Sequence, residues 1–150
     1  MLLALLTASA LAATPVASLG WGTGVFAQAP AIRTADSLSF TVRVAPWFAV
    51  EGAATLGLGP GGLVAPGLIP GAWGGARFGG TAGPYGALRV GGDSTGARGG
   101  LALGWSVHPT PGFWWGPELQ GGAAYGSGVY AGGGFRMEWA TARAPTAAAD

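Results

Sequence analysis

The sequence predicts an all-β fold, an eight-stranded antiparallel up-and-down transmembrane β-barrel, and three observations carry that expectation. Apolar residues alternate with small or polar ones in eight stretches of about 8 to 13 residues, the period of a strand. Charged residues make up 9% of the 150-residue chain and apolar residues 49%, whereas ordinary globular proteins carry roughly 25% charge. No apolar run approaches the roughly 20 residues that a helical span needs, so a membrane crossing would have to be made by strands.

The first stretch, Val16 to Ala27, sets Leu19, Trp21 and Val25 against Ser18, Gly20, Gly22 and Gly24. The second, Ser37 to Val44, is the clearest, with Leu38, Phe40, Val42 and Val44 against Ser37, Ser39, Thr41 and Arg43. Phe48 to Leu58 follows, with Phe48, Val50, Leu56 and Leu58 on one face and Glu51 and Thr55 on the other. The fourth, Ala72 to Thr81, is diluted by glycine but separates Phe78 from Arg77, and the fifth, Tyr85 to Gly92, separates Leu88 and Val90 from Arg89. In the sixth, Gly100 to His108, Leu101, Leu103, Trp105 and Val107 oppose Gly104, Ser106 and His108. Trp115, Leu119 and Tyr125 oppose Glu118 and Gln120 in the seventh, Trp114 to Tyr125. The eighth, Gly128 to Ala140, alternates Phe135, Met137 and Trp139 with Arg136 and Glu138. Across these stretches one face is free of charge and the other holds seven charges among Gly, Ala, Ser and Thr.

A water-soluble sandwich would turn that second face outward, and its surface would be too poor in charge for a small soluble protein. Turning the apolar face to lipid and the small polar face inward satisfies the same residues, and an even number of strands can close without an edge. Connections two to three, four to five and six to seven read as short turns around Pro46, "AGP" and "PTPGF". Connections one to two, three to four and five to six read as longer, roughly six to thirteen residues, which gives the short-turn and long-loop ends of a barrel. Trp47, Trp105, Trp115, Tyr125 and Trp139 near the stretch ends are expected to form interfacial girdles.

The amino-terminal "MLLALLTASALAATP" has a short apolar segment and an Ala10-Leu11-Ala12 site, the pattern of a secretory signal peptide, although no Arg or Lys precedes Leu2. A buried N-terminal helix is the other reading. The expected organisation is a signal peptide over 1–12, a barrel over 13–141 and a disordered C-terminal tail over 142–150. Thirty-one Gly and eleven Pro also suit a secreted glycine-rich structural protein, but seven Trp, three Tyr and six Phe are too many aromatics for a disordered chain.

"VRVAPWFAVEGAATLGLG" resembles the strand, Pro-containing turn and strand of small eight-stranded outer-membrane barrels of the OmpA/OmpX-like class, and "GGFRMEW" resembles their last strand. The resemblance of pattern covers most of the chain after residue 12 and implies outer-membrane localisation in a Gram-negative envelope, lipid as the surrounding partner and insertion by the barrel-assembly machinery. In that class the final strand usually ends the protein on an aromatic residue, whereas here "ATARAPTAAAD" follows Trp139.

An eight-stranded barrel has an interior just wide enough to be filled by side chains or to hold one small ligand. Arg43, Glu51, Arg77, Arg89, Glu118, Arg136 and Glu138 are the expected lumen charge network. With three-residue turns, Glu118 falls opposite Arg136, Glu51 lies diagonal to Arg43 and within reach of Arg77, and Arg77 falls opposite Arg89. Such a network could plug the lumen or mark an ion path. The Arg77 and Arg89 pair could be an anion site, or could share a carboxylate or a water.

Enzymatic and nucleic-acid functions are poorly supplied. The single His108 shares a face with Ser106, but two residues along a strand do not place a base within the roughly 3 Å a nucleophile requires. One His and no Cys leave no metal-ligand cluster, and the glycine runs open no helix, so they form no phosphate loop. No cofactor is expected, and a net charge of +1 without basic clusters argues against nucleic acid. The expected function is a structural, adhesive or membrane-stabilising outer-membrane barrel. The alternative is a narrow channel or small-ligand transporter. Leu63-Val64 with Leu68-Ile69, in the longest loop, form the expected patch for an extracellular partner.

Overall fold

A computed structural model describes residues 16–28, 31–59, 67–126 and 128–142. The segment read as a signal peptide, the tail after residue 142 and Leu63-Val64 lie outside the described residues. Eight strands follow one another: β1 (Val16–Gln28), β2 (Ala31–Ala45), β3 (Phe48–Leu58), β4 (Leu68–Gly79), β5 (Gly83–Asp93), β6 (Gly96–Thr110), β7 (Phe113–Ala124) and β8 (Gly128–Ala142). Each pairs antiparallel with its neighbours in sequence, and β1 pairs with β8 to close the barrel.

The strands form where alternation is cleanest, because every second side chain finds the same environment on a pleated sheet. On β2, Leu38, Phe40, Val42 and Val44 point outward and are exposed, while Ser39 and Thr41 point inward and are buried. Leu103, Leu119 and Val90 are 66%, 67% and 69% exposed on the outside, whereas Glu51 and Arg77 are 1% and 2% exposed inside. The molecule thus inverts the burial pattern of a water-soluble protein.

Several strands run further than the alternation indicates. β2 begins at Ala31 and β6 at Gly96, so the stretch read as a loop around "DSTGAR" is a two-residue turn at Ser94-Thr95. Thr95 donates its backbone N–H to Asp93 Oδ1 at 2.7 Å, the side-chain bond that lets Asp shape a tight turn. Only two residues separate β1 from β2 as well, so the expected alternation of short turns and long loops fails at both places. The connection between β3 and β4 is the longest. Leu68 and Ile69, expected in that loop, open β4 instead; Ile69 is buried at 3% exposure and so drops out of the expected partner patch, whereas Leu68 is partly exposed. Extending β2 also puts one charge, Asp36, on the outward face, where Thr23 and Leu56 are its neighbours in register.

The β2–β3, β4–β5 and β6–β7 turns share one end of the barrel with the start of β1 and the finish of β8, hereafter the turn end. At Pro111-Gly112 a proline precedes a glycine at φ +83°, the arrangement of a type II turn, which only glycine adopts without strain. The outward aromatics gather at this end. Phe48 lies against Trp47 and Phe78, Phe113 against Trp139, and Trp115 against Phe135, with ring centroids 5.1 to 5.8 Å apart. Of the aromatics expected to form two girdles, only Tyr125 stands at the other end, so the belt is one-sided.

Candidate functional site in the lumen

Inward positions are mostly Gly and Ala, and that smallness makes room for a few long side chains to cross the barrel. Glu51 on β3 accepts from Arg89 Nε of β5 and from Arg136 Nη1 of β8, both at 2.7 Å, and its side chain has no exposed surface. Arg89 reaches on to β7, where Nη1 and Nη2 form a forked pair with Glu118, the latter at 2.8 Å. Arg77 on β4 spans the lumen to Glu138 Oε1 on β8 at 2.5 Å and donates to Ser106 Oγ of β6 at 2.9 Å. Arg136 Nη2 donates to Thr41 Oγ1 of β2 at 3.0 Å, and Ser18 of β1 donates to Glu138 at 3.3 Å. Arg136 Nε also stands 2.7 Å from Glu138 Oε1, a close ion pair whose N–H direction misses the oxygen.

All eight strands therefore contribute to one layer of three guanidinium groups and three carboxylates, which is electrically neutral. Tyr85 completes it. Its hydroxyl donates to Glu118 Oε2 at 2.8 Å while the Arg77 guanidinium lies 3.7 Å over its ring. Gly104 makes this possible, because a Cβ there would fall 2.3 Å from the Tyr85 ring.

Six of the seven expected charges sit in this layer. Arg43 does not; it turns to the backbone carbonyls of Pro46, Gly79 and Gly80 at the turn end. The expected pairs also change. Glu118 faces Gly134 in register rather than Arg136 and takes Arg89 as its main partner, with Arg136 Nη1 at 3.8 Å. Arg77 faces Ala87 and Arg89 faces Gly75, so the two cations are not opposed and each has its own carboxylate. Glu51 bonds neither Arg43 nor Arg77. Ser18, Thr41, Tyr85 and Ser106 are not singled out by the sequence for the network, although Thr41, Tyr85 and Ser106 share the parity of the inward arginines on their strands and Ser18 that of the small residues on β1.

Ser106 Oγ is committed to Arg77, while His108 is exposed and stacks on Trp114 with centroids 5.1 Å apart, so these two form no nucleophile and base pair. Among the described residues no group of three His, Cys, Asp or Glu could hold a metal ion.

The neutral layer divides the lumen. Toward the turn end, between Arg43, Arg77, Trp114 and Glu138, remains a void of about 10 Å³, room for one water. Toward the opposite end lies a cavity of about 150 Å³, bordered by Phe26, Trp73, Tyr130, Thr55, Gln120 and Arg98 with Arg89, Glu118 and Arg136 as its floor. At that end Arg98 Nη2 pairs with Asp93 Oδ2 at 2.6 Å, Arg33 Nη1 stands 3.9 Å from the same oxygen, and both arginines donate to Thr95 Oγ1 at 3.1 Å. Sequence reading missed this cluster because Arg33, Asp93 and Arg98 lie in stretches it took for loops.

The barrel is similar in structure to Neisserial surface protein A (NspA), with a TM-score of 0.62 at 13% identity over 83% of this chain and 96% of that one. It is also similar to the N-terminal β-barrel domain of Pseudomonas aeruginosa OprF, with a TM-score of 0.52 at 13% identity over 81% and 97% of the two chains. The fold is that of the small eight-stranded outer-membrane barrels. The chain matches no protein-family model, and no curated protein sequence matches it.

Proposed function

We propose that the chain is an outer-membrane β-barrel whose lumen is closed by its Arg and Glu side chains, and that its role is structural or membrane-stabilising, through its outer surface rather than by conduction. The observation that carries the reading is the inverted burial: large apolar side chains cover the outside while six charges pair inside. Each apolar side chain held in water forgoes about 1.5 to 3 kcal/mol of burial, a sum that only lipid around the barrel removes. The turn end, with both outer strands' termini, short turns and the aromatic belt, then faces the periplasm, and the longer β3–β4 connection faces outward. Lipid is the first partner, and the assembly machinery inserts the chain; a longer connection outside leaves adhesion open to that end alone.

Fractionation of Gram-negative cells expressing the chain tests the localisation. It is expected in the outer membrane, with different gel mobility before and after boiling; recovery as a soluble periplasmic protein would overturn the reading. In planar bilayers the protein is expected to conduct poorly, and large steady conductance would overturn the closed lumen. A small-ligand role is the second reading, favoured by the cavity above the charged floor.

A further inference from the structure

We propose that the cavity between the charged layer and the β5–β6 turn is a binding site for a small single-ring aromatic carboxylate, its ring among Phe26, Trp73 and Tyr130 and its carboxylate on Arg98. The inference rests on the closed lumen, because the neutral layer is the floor of the site.

Size sets the first limit. A cavity of about 150 Å³ matches one known to accept benzene and falls below the roughly 300 to 1,000 Å³ that larger ligands occupy. One ring fits and a nucleotide or sugar chain does not. Aromatic walls set the second. Trp73 already carries the Arg89 guanidinium 4.3 Å from its ring centroid, which holds the indole in place as a rigid wall, and Arg98 lies 5.7 Å from the Tyr130 ring.

Charge sets the third. The floor is balanced within itself, but at the far end two guanidinium groups, Arg33 and Arg98, share the single carboxylate of Asp93. Both Nε atoms are buried without an acceptor, and Arg98 Nη1 has no acceptor among the described residues, so the cationic surplus lies beside the cavity. A carboxylate on Arg98 would neutralise it through charge-assisted bonds. Thr55, Gln120 and the Tyr130 hydroxyl border the same space and bond no described residue, which leaves donors and acceptors for polar ring substituents.

The test titrates the barrel, folded in micelles and verified by its gel mobility before and after boiling, with benzoate and with neutral benzamide, using calorimetry and the amide NMR shifts of β4, β5 and β8. Benzoate is expected to bind about tenfold or more tightly than benzamide. Arg98→Gln should erase that preference, Arg98→Lys should keep part of it, and Ala35→Leu, which fills the cavity without touching a charge, should weaken both ligands. A folded wild-type barrel that ignores millimolar benzoate overturns the site, as does equal binding of benzoate to folded wild type and Arg98→Gln. Either result leaves the membrane barrel standing, since folding and fractionation are read separately.

Discussion

Replacing Glu51 by Gln is expected to destabilise the barrel by about 3 to 5 kcal/mol in urea unfolding from lipid vesicles, because it removes the buried carboxylate that Arg89 and Arg136 share and leaves three guanidinium groups to two carboxylates. Arg43→Met should cost less, since the side chain is only half-buried and bonds neutral turn carbonyls, one of them exposed, rather than a buried carboxylate. The pairing makes a sharper expectation for Arg136→Met. Its loss should be partly rescued by Glu51→Gln, whose carboxylate stands 2.7 Å away, and much less by Glu118→Gln at 3.8 Å. Double-mutant cycles on the same unfolding curves decide between them. The sequence reading points to the wrong partner for a physical reason. It places the β7–β8 turn one residue too late, and moving a turn centre by one residue shifts the register by two. Glu118 then meets Gly134 instead of Arg136, yet both remain inward. Faces survive such an error because side chains repeat every two residues; partners do not.

At the scale of the strand, the outward faces predict a gradient. Leu119→Arg, in the middle of β7, should cost about 2 to 4 kcal/mol on folding into bilayers, while Val129→Arg, near the start of β8 at the far end, should cost about 0 to 1. Spin labels at these two sites and at Gln120 give an independent reading, with lipid contact expected at 119 and water accessibility or lumen burial at 120. Equal costs for the two arginines would argue against a lipid belt. The turns separate in the same way. Gly112→Ala should cost about 1 kcal/mol or more because its φ of +83° disfavours a side chain. Strand faces were legible wherever large apolar residues alternated, as on β2 and β6. Strand ends were not, because Arg33, Asp93 and Arg98 carry no apolar contrast and an Asp-Ser-Thr-Gly run reads equally as a long loop or as a two-residue turn inside a hairpin.

For the whole molecule, closure of the barrel and completion of its charge pairing are the same event. The last strand brings both Arg136 and Glu138, and Glu138 is the carboxylate that Arg77 reaches across the lumen. A chain lacking β8 would keep Glu51, Glu118 and Arg89 in contact but leave Arg77 without its acid and β1 with an open edge. Completion of the barrel is thereby chemically proofread. A seven-stranded precursor stays balanced in net charge, two guanidinium groups to two carboxylates, but is unsealed and holds the Arg77 guanidinium without its acid, so on the membrane reading proposed above a partly inserted chain is expected to have no stable resting state in lipid until its final strand arrives. Truncation before Gly128 should accordingly abolish the folded, heat-modifiable band altogether rather than weaken it in proportion to the contacts removed.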